Sequence, residues 1–183
     1  IVLLMSIGIF FFNPGLNDWL PEIIRSKDVS FAEAGYSAAI PTTISIISAL
    51  LIPRFATTER RVLVMGLLIL AAGLATTLLH TSPGFQLAFG LCLQGLARGA
   101  MMTVALLMLV EIPNVGPKRA GTAGGLFFTA AEIGGVAGPL VIGFLHDLTG
   151  DFSYSLNVLT VITFLLLALL FALQKTLKHD LNN

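Results

Sequence analysis

Apolar side chains fill six long stretches of the chain, about 1–19, 34–52, 62–79, 85–110, 120–145 and 156–173, with short polar links between them. Each is near the ~20 residues a helix needs to cross the hydrocarbon core of a bilayer. In lipid the backbone must satisfy its own hydrogen bonds, and long apolar runs joined by short loops do this as helices. The pattern predicts an all-α integral membrane protein, a single six-helix transmembrane bundle over 1–183 whose first partner is the lipid bilayer.

Polar residues interrupt these runs unevenly. The first run holds "NPGLNDW", the second a Pro41-Thr42-Thr43-Ser45-Ser48 series, the fourth Gln94 and Arg98, the fifth Thr129 and Glu132. The third and sixth have no charge, and their Thr76, Thr77, Asn157 and Thr160 can bond to nearby backbone or a neighbouring helix. In each run of three helices the third is bland. This predicts two three-helix repeats, the first two helices of each lining something polar and the third supporting from behind. Weak internal repetition with interrupted helices at matching places is a mark of secondary transporters.

Composition agrees with the pattern. Hydrophobic residues make up 56% of the 183 and charged residues 11%, against about 25% charged in soluble domains; mean hydropathy is +0.92. The ten basic and ten acidic residues cancel, which argues against a nucleic-acid partner. Cys92 is the only cysteine, so a disulfide framework within the chain and a Cys-based metal site are excluded. His80, His146 and His179 fall in loops or the tail, and no metal set or cofactor is expected. An intramembrane protease of the rhomboid type would need a serine nucleophile and a histidine base inside the membrane, and no predicted span contains a histidine.

Basic residues also orient the chain. Arg54, Arg60, Arg61, Lys118, Arg119, Lys175 and Lys178 fall on one side and only Arg25 and Lys27 on the other. The positive-inside rule then puts both chain ends in the cytoplasm, for a multi-pass protein of the plasma (inner) membrane. The chain opens inside an apolar helix without an initiating Met, which predicts a piece of something longer.

Arg98 falls near the middle of its run, too deep to reach water easily, and costs on the order of 3 kcal/mol there. It should face protein or a water-filled cavity. A guanidinium binds carboxylates and similar oxyanions in bidentate fashion and keeps its charge. Arg98, with Gln94 one turn earlier and Asn13 and Asn17 on one face of the first helix, is the candidate substrate-binding set. Glu132 lies at similar depth in the fifth helix, and two readings stay open: a structural ion pair with Arg98, or a proton carrier released when an anionic substrate breaks that pair. Asp18 and Glu111, at span ends, read as solvated boundary charges. Pro14 removes a hydrogen bond to the carbonyl of Phe10, so "NPG" is a kink or a helix end. Trp19 fits an interfacial anchor. Gly121 and Gly125, then Gly134 and Gly138, have the small-xxx-small spacing of closely packed membrane helices, with Pro139 bending the helix beyond.

The fifth helix resembles the eleventh helix of major facilitator superfamily transporters through Gly134, Gly138, Pro139 and Gly143. "GFLHDLTG" is similar to that family's G-x-x-x-D-x-x-G loop motif, with Gly143, Asp147 and Gly150 in place and Leu148 where a basic residue is usual. "LIPRFATTERRVL" sits where the C-terminal half has its loop between helices eight and nine, keeping arginines without the D-R-x-G core. "GLNDWLPEII" and "SFAEAGYSAAIPTTISIISALLIPRF" resemble the cyanate-permease-like, small-anion branch. The resemblance implies the C-terminal six-helix half of a twelve-helix transporter, its N-terminal half being the missing partner. It further implies a symporter or antiporter moving a small organic or inorganic anion by alternating access, with Pro14, Gly15, Gly134, Gly138, Pro139, Gly143 and Asp147 serving helix packing and gating. Rival readings are a non-transporting membrane scaffold or assembly protein, and a half-size transporter acting as a dimer.

Overall fold

A computed structural model describes residues 1–112 and 115–181. They form six helices: α1 (Val2–Arg25), α2 (Phe31–Phe55), α3 (Arg61–Leu78), α4 (Phe85–Val110), α5 (Gly116–Thr149) and α6 (Ser153–Leu181). The side chains of Lys118, Lys178 and His179 lie outside the described set. Five of the helices, α2 to α6, are long and apolar enough to cross a membrane; α1 is not among them. Asn13, Asn17 and Asp18 lower its hydropathy, although its 24 residues make a rod of roughly 36 Å.

Several helices run past their apolar stretches. α1 continues through both Pro14 and Pro21 to Arg25, so "NPG" is not a helix end. α2 starts at Phe31 rather than Ala34, because Ser30 and Glu33 form a capping box: the Ser30 hydroxyl accepts from the Glu33 N–H at 3.2 Å, and the Glu33 carboxylate accepts from the Ser30 N–H at 3.0 Å. α5 includes all of "GFLHDLT", so this motif is not a loop, and His146 sits on the last turn of a helix. Gly150, at φ 71°, ends it with a left-handed residue that costs glycine little.

Contacts between the links show which share an end. Arg61, at the start of α3, pairs with Glu111 beyond α4, and the Thr58 hydroxyl donates to Glu111 at 2.9 Å. Glu111 is therefore not a free boundary charge. At the opposite end, burial pushes the Lys27 ammonium down from its ordinary pKa, partly offset by the Asp151 carboxylate. Hydrogen bonding from Ser153 holds Asp151 below the usual carboxylate range, and His80 adds a smaller pull.

The most extensive helix contacts are α1 with α5 and α2 with α4. Exchanging the first three helices for the last three maps one pair onto the other, in keeping with two three-helix repeats. The two interfaces also share a device. A Cβ built at Gly134 or Gly138 of α5 would collide with the carbonyl oxygens of Ile7 or Phe11 in α1; one at Gly95 or Gly99 of α4 would collide with those of Pro41 or Ser45 in α2. Each pair of glycines, four residues apart, thus lets a helix settle on two carbonyls four residues apart. Where water supplies no drive between helices, such close packing does, and Cα–H···O contacts add on the order of 0.5 kcal/mol each. Gly121 and Gly125, with the same spacing, have nothing within 4 Å of a built Cβ and pack on nothing in the described residues.

α3 and α6 pack on each other behind these pairs, joined by a 2.7 Å hydrogen bond between the Thr76 and Thr160 hydroxyls. α4 and α5, successive in the chain, make only a small contact. Their glycine faces are turned to different partners.

Candidate functional site

α1 divides its residues between two faces. Met5, Ile9, Phe12, Leu16, Leu20 and Ile23 are buried in the core. Phe10, Asn13, Pro14, Asn17 and Asp18 form the opposite stripe, at the i, i+3, i+4, i+7 and i+8 spacing of one helical face. With Arg98, Gly99 and Met102 of α4 they line a groove of about 270 Å³. Gly15, between Pro14 and Leu16, is buried and faces α5, where its built Cβ would lie 3.3 Å from Gly138.

Packing of α4 on α2 aims Arg98. Gly95 and Gly99 draw the helices together, and the Ser48 hydroxyl crosses to donate to the Leu96 carbonyl at 2.7 Å. Arg98 then reaches Thr42, donating from Nη1 to its hydroxyl at 3.3 Å. It is half-buried and makes no ion pair among the described residues. Gly95 and Gly99 are thus packing residues of the α2–α4 interface, and Ser48 belongs to that interface rather than to a polar lining.

Of the predicted binding set, Arg98, Asn13 and Asn17 come together in the groove and Gln94 does not. Gln94 is fully buried, with neither amide atom hydrogen-bonded among the described residues. Four residues along a helix leave about 40° between side chains, enough to turn Gln94 into the core while Arg98 faces out. Asp18, read from sequence as a boundary charge, is a groove residue. The stripe spacing with Asn13, Pro14 and Asn17 was the signal that could have found it.

Glu132 is exposed on α5 and does not pair with Arg98. The ion-pair reading assumed that successive helices are neighbours, whereas α5 lies on α1 and α4 on α2. Asp147 is exposed and lies 3.9 Å from the His146 Nδ1. Trp19 is half-buried rather than a free interfacial anchor: its indole covers Gly143, lies 5.9 Å from the Phe152 ring and 6.2 Å from the His146 ring, and donates to the Pro139 carbonyl at 3.0 Å.

The groove therefore carries a mid-helix cation, two amides and a carboxylate on one side of a lipid-compatible bundle. A family model described as Major Facilitator Superfamily matches residues 1–182. The chain belongs to the major facilitator superfamily. None of the curated proteins matches it. Members of that family are transporters, and the membrane-spanning helices agree with an integral, multi-pass membrane protein. Arg98, half-buried and without an ion pair among the described residues, holds a fixed positive charge on this open groove and presents donors in a planar fork.

Proposed function

We propose that this protein is a secondary active transporter that moves a small solute by alternating access, the solute's anionic group binding Arg98 in the α1–α4 groove. The observation that carries the reading is Arg98 itself, halfway along α4 on an open polar groove, with Thr42 as its only side-chain partner among the described residues. An organic or inorganic anion supplies the charge this guanidinium lacks, and Asn13 and Asn17 supply amide contacts opposite. The cyanate-permease-like, small-anion branch agrees with that chemistry.

The two three-helix repeats correspond to half of the family's twelve-helix arrangement. We take them as the C-terminal half, with the polar groove turned toward an N-terminal half across a central cavity. Both ends of the bundle then lie in the cytoplasm, at the plasma (inner) membrane, as the basic residues of the links favour. The glycine-paved α1–α5 and α2–α4 contacts hold this half together as it rocks against the other. Glu132, a carboxylate exposed midway along α5, is the candidate proton carrier for symport or antiport, and Glu132→Gln should abolish accumulation driven by a proton gradient.

Uptake of a panel of small organic and inorganic anions, compared between wild type, Arg98→Ala and Arg98→Lys, tests the reading. Arg98→Ala should remove uptake and Arg98→Lys should retain part of it, because an ammonium keeps the charge but not the fork. Unchanged uptake of every accepted anion in Arg98→Ala sinks the binding role.

A further inference from the structure

The α1–α4 groove holds more hydrogen-bond acceptors than an anion can use. The Asn13 Oδ1 is enclosed and has no hydrogen-bond partner among the described residues. Pro14 and Pro21 have no N–H, so the carbonyls of Phe10 and Asn17, four residues before each, lose their helical donors. Both of those residues line the groove, as does Asp18. An ionised carboxylate only accepts, and Asp18 pairs with no cation among the described residues. Arg98 and Asp18 therefore share one groove without neutralising each other. A simple anion would satisfy Arg98, meet repulsion from Asp18 and leave the acceptors of α1 unmet.

We propose that the transported solute is a small zwitterion, its carboxylate or similar oxyanion on Arg98 and its ammonium group on Asp18 and the acceptors of α1. An ammonium has three donors, which the Asp18 carboxylate and the freed carbonyls of α1 can accept. The groove, at about 270 Å³, has room for a solute of the size of an α-amino acid. This rests on the reading of the groove as the solute site and narrows its substrate class.

The test measures binding to the intact protein in proteoliposomes, in sodium-free choline buffer and again with sodium chloride. The probes are α-amino acids, the matching carboxylic acids without the amine, and the matching amines without the carboxylate. At least one amino acid should bind tenfold or more tightly than both of its truncated analogues, without sodium. Asp18→Asn should erase that preference while leaving the plain carboxylic acid bound, Asp18→Glu should restore part of it, and Arg98→Ala should weaken both classes. Plain acids binding as tightly as amino acids would overturn the zwitterion, with the anion reading intact. So would acid binding that needs sodium and loses that need in Asp18→Asn, since Asp18 would then hold a separate cation. Carboxylate binding that is indifferent to Arg98→Ala overturns the anion reading itself.

Discussion

The indole N–H of Trp19 in α1 donates a 3.0 Å hydrogen bond to the carbonyl of Pro139 in α5. The same ring occupies the space that a side chain at residue 143 would fill. One residue thus fastens the α1–α5 interface by a polar contact and by packing. Trp19→Phe should keep most of the packing and lose the bond, lowering stability by about 0.5–1 kcal/mol. Denaturant unfolding in detergent micelles measures this, and an unchanged midpoint would mean that the bond contributes nothing.

Glycines of identical spacing on α5 should respond oppositely to alanine. Gly134→Ala and Gly138→Ala push a methyl onto the carbonyls of Ile7 and Phe11, and overpacking of this kind costs roughly 1–3 kcal/mol. Gly121→Ala and Gly125→Ala meet open space and should be neutral, or stabilise the helix by up to about 1 kcal/mol. Thermal unfolding of the four variants separates the pairs. Equal damage in both would contradict the interface described above.

Arg61 and Glu111 join the start of α3 to the end of α4, with side chains 14% and 37% exposed. Arg61 also donates from Nε to the Ala56 carbonyl at 2.9 Å. Glu111→Gln leaves a half-buried guanidinium with backbone partners only. A loss of about 1–2 kcal/mol is expected, between the values for exposed and for buried pairs. A double-mutant cycle with Arg61→Gln measures the coupling, which should shrink at high salt.

Gln94 buries a whole carboxamide without a hydrogen bond among the described residues. Methionine has similar volume and no such group to desolvate, so Gln94→Met should raise stability by about 1–2 kcal/mol. A fall in melting temperature would show that the amide is satisfied.

Much of the architecture was legible in the chain, because its physical causes are local. Length and apolarity of the runs required helices; of the helices expected to line something polar, only the first of each triplet, α1 and α4, line the groove. Arg98 could be singled out because a charge amid Leu, Ala, Gly and Met has few tolerable places in a bilayer. The G-x-x-x-G of α5 at Gly134 and Gly138 was readable as a packing surface. Helix ends were less so, since capping by Ser30 and Glu33 and the left-handed Gly150 act beyond the apolar stretch. Nothing in the hydropathy of "GFLHDLTG" says whether it continues a helix or leaves it.

Which helices meet was decided by the tertiary structure alone. Gly121 and Gly125 have the same spacing as Gly134 and Gly138, yet only the second pair finds carbonyls opposite it. Asp18 joined Arg98, and Glu132 did not, because α4 settles on α2 while α5 settles on α1. Sequence order determined the composition of each helix and its polar face; the close fit of glycines against particular carbonyls determined which polar faces look at one another.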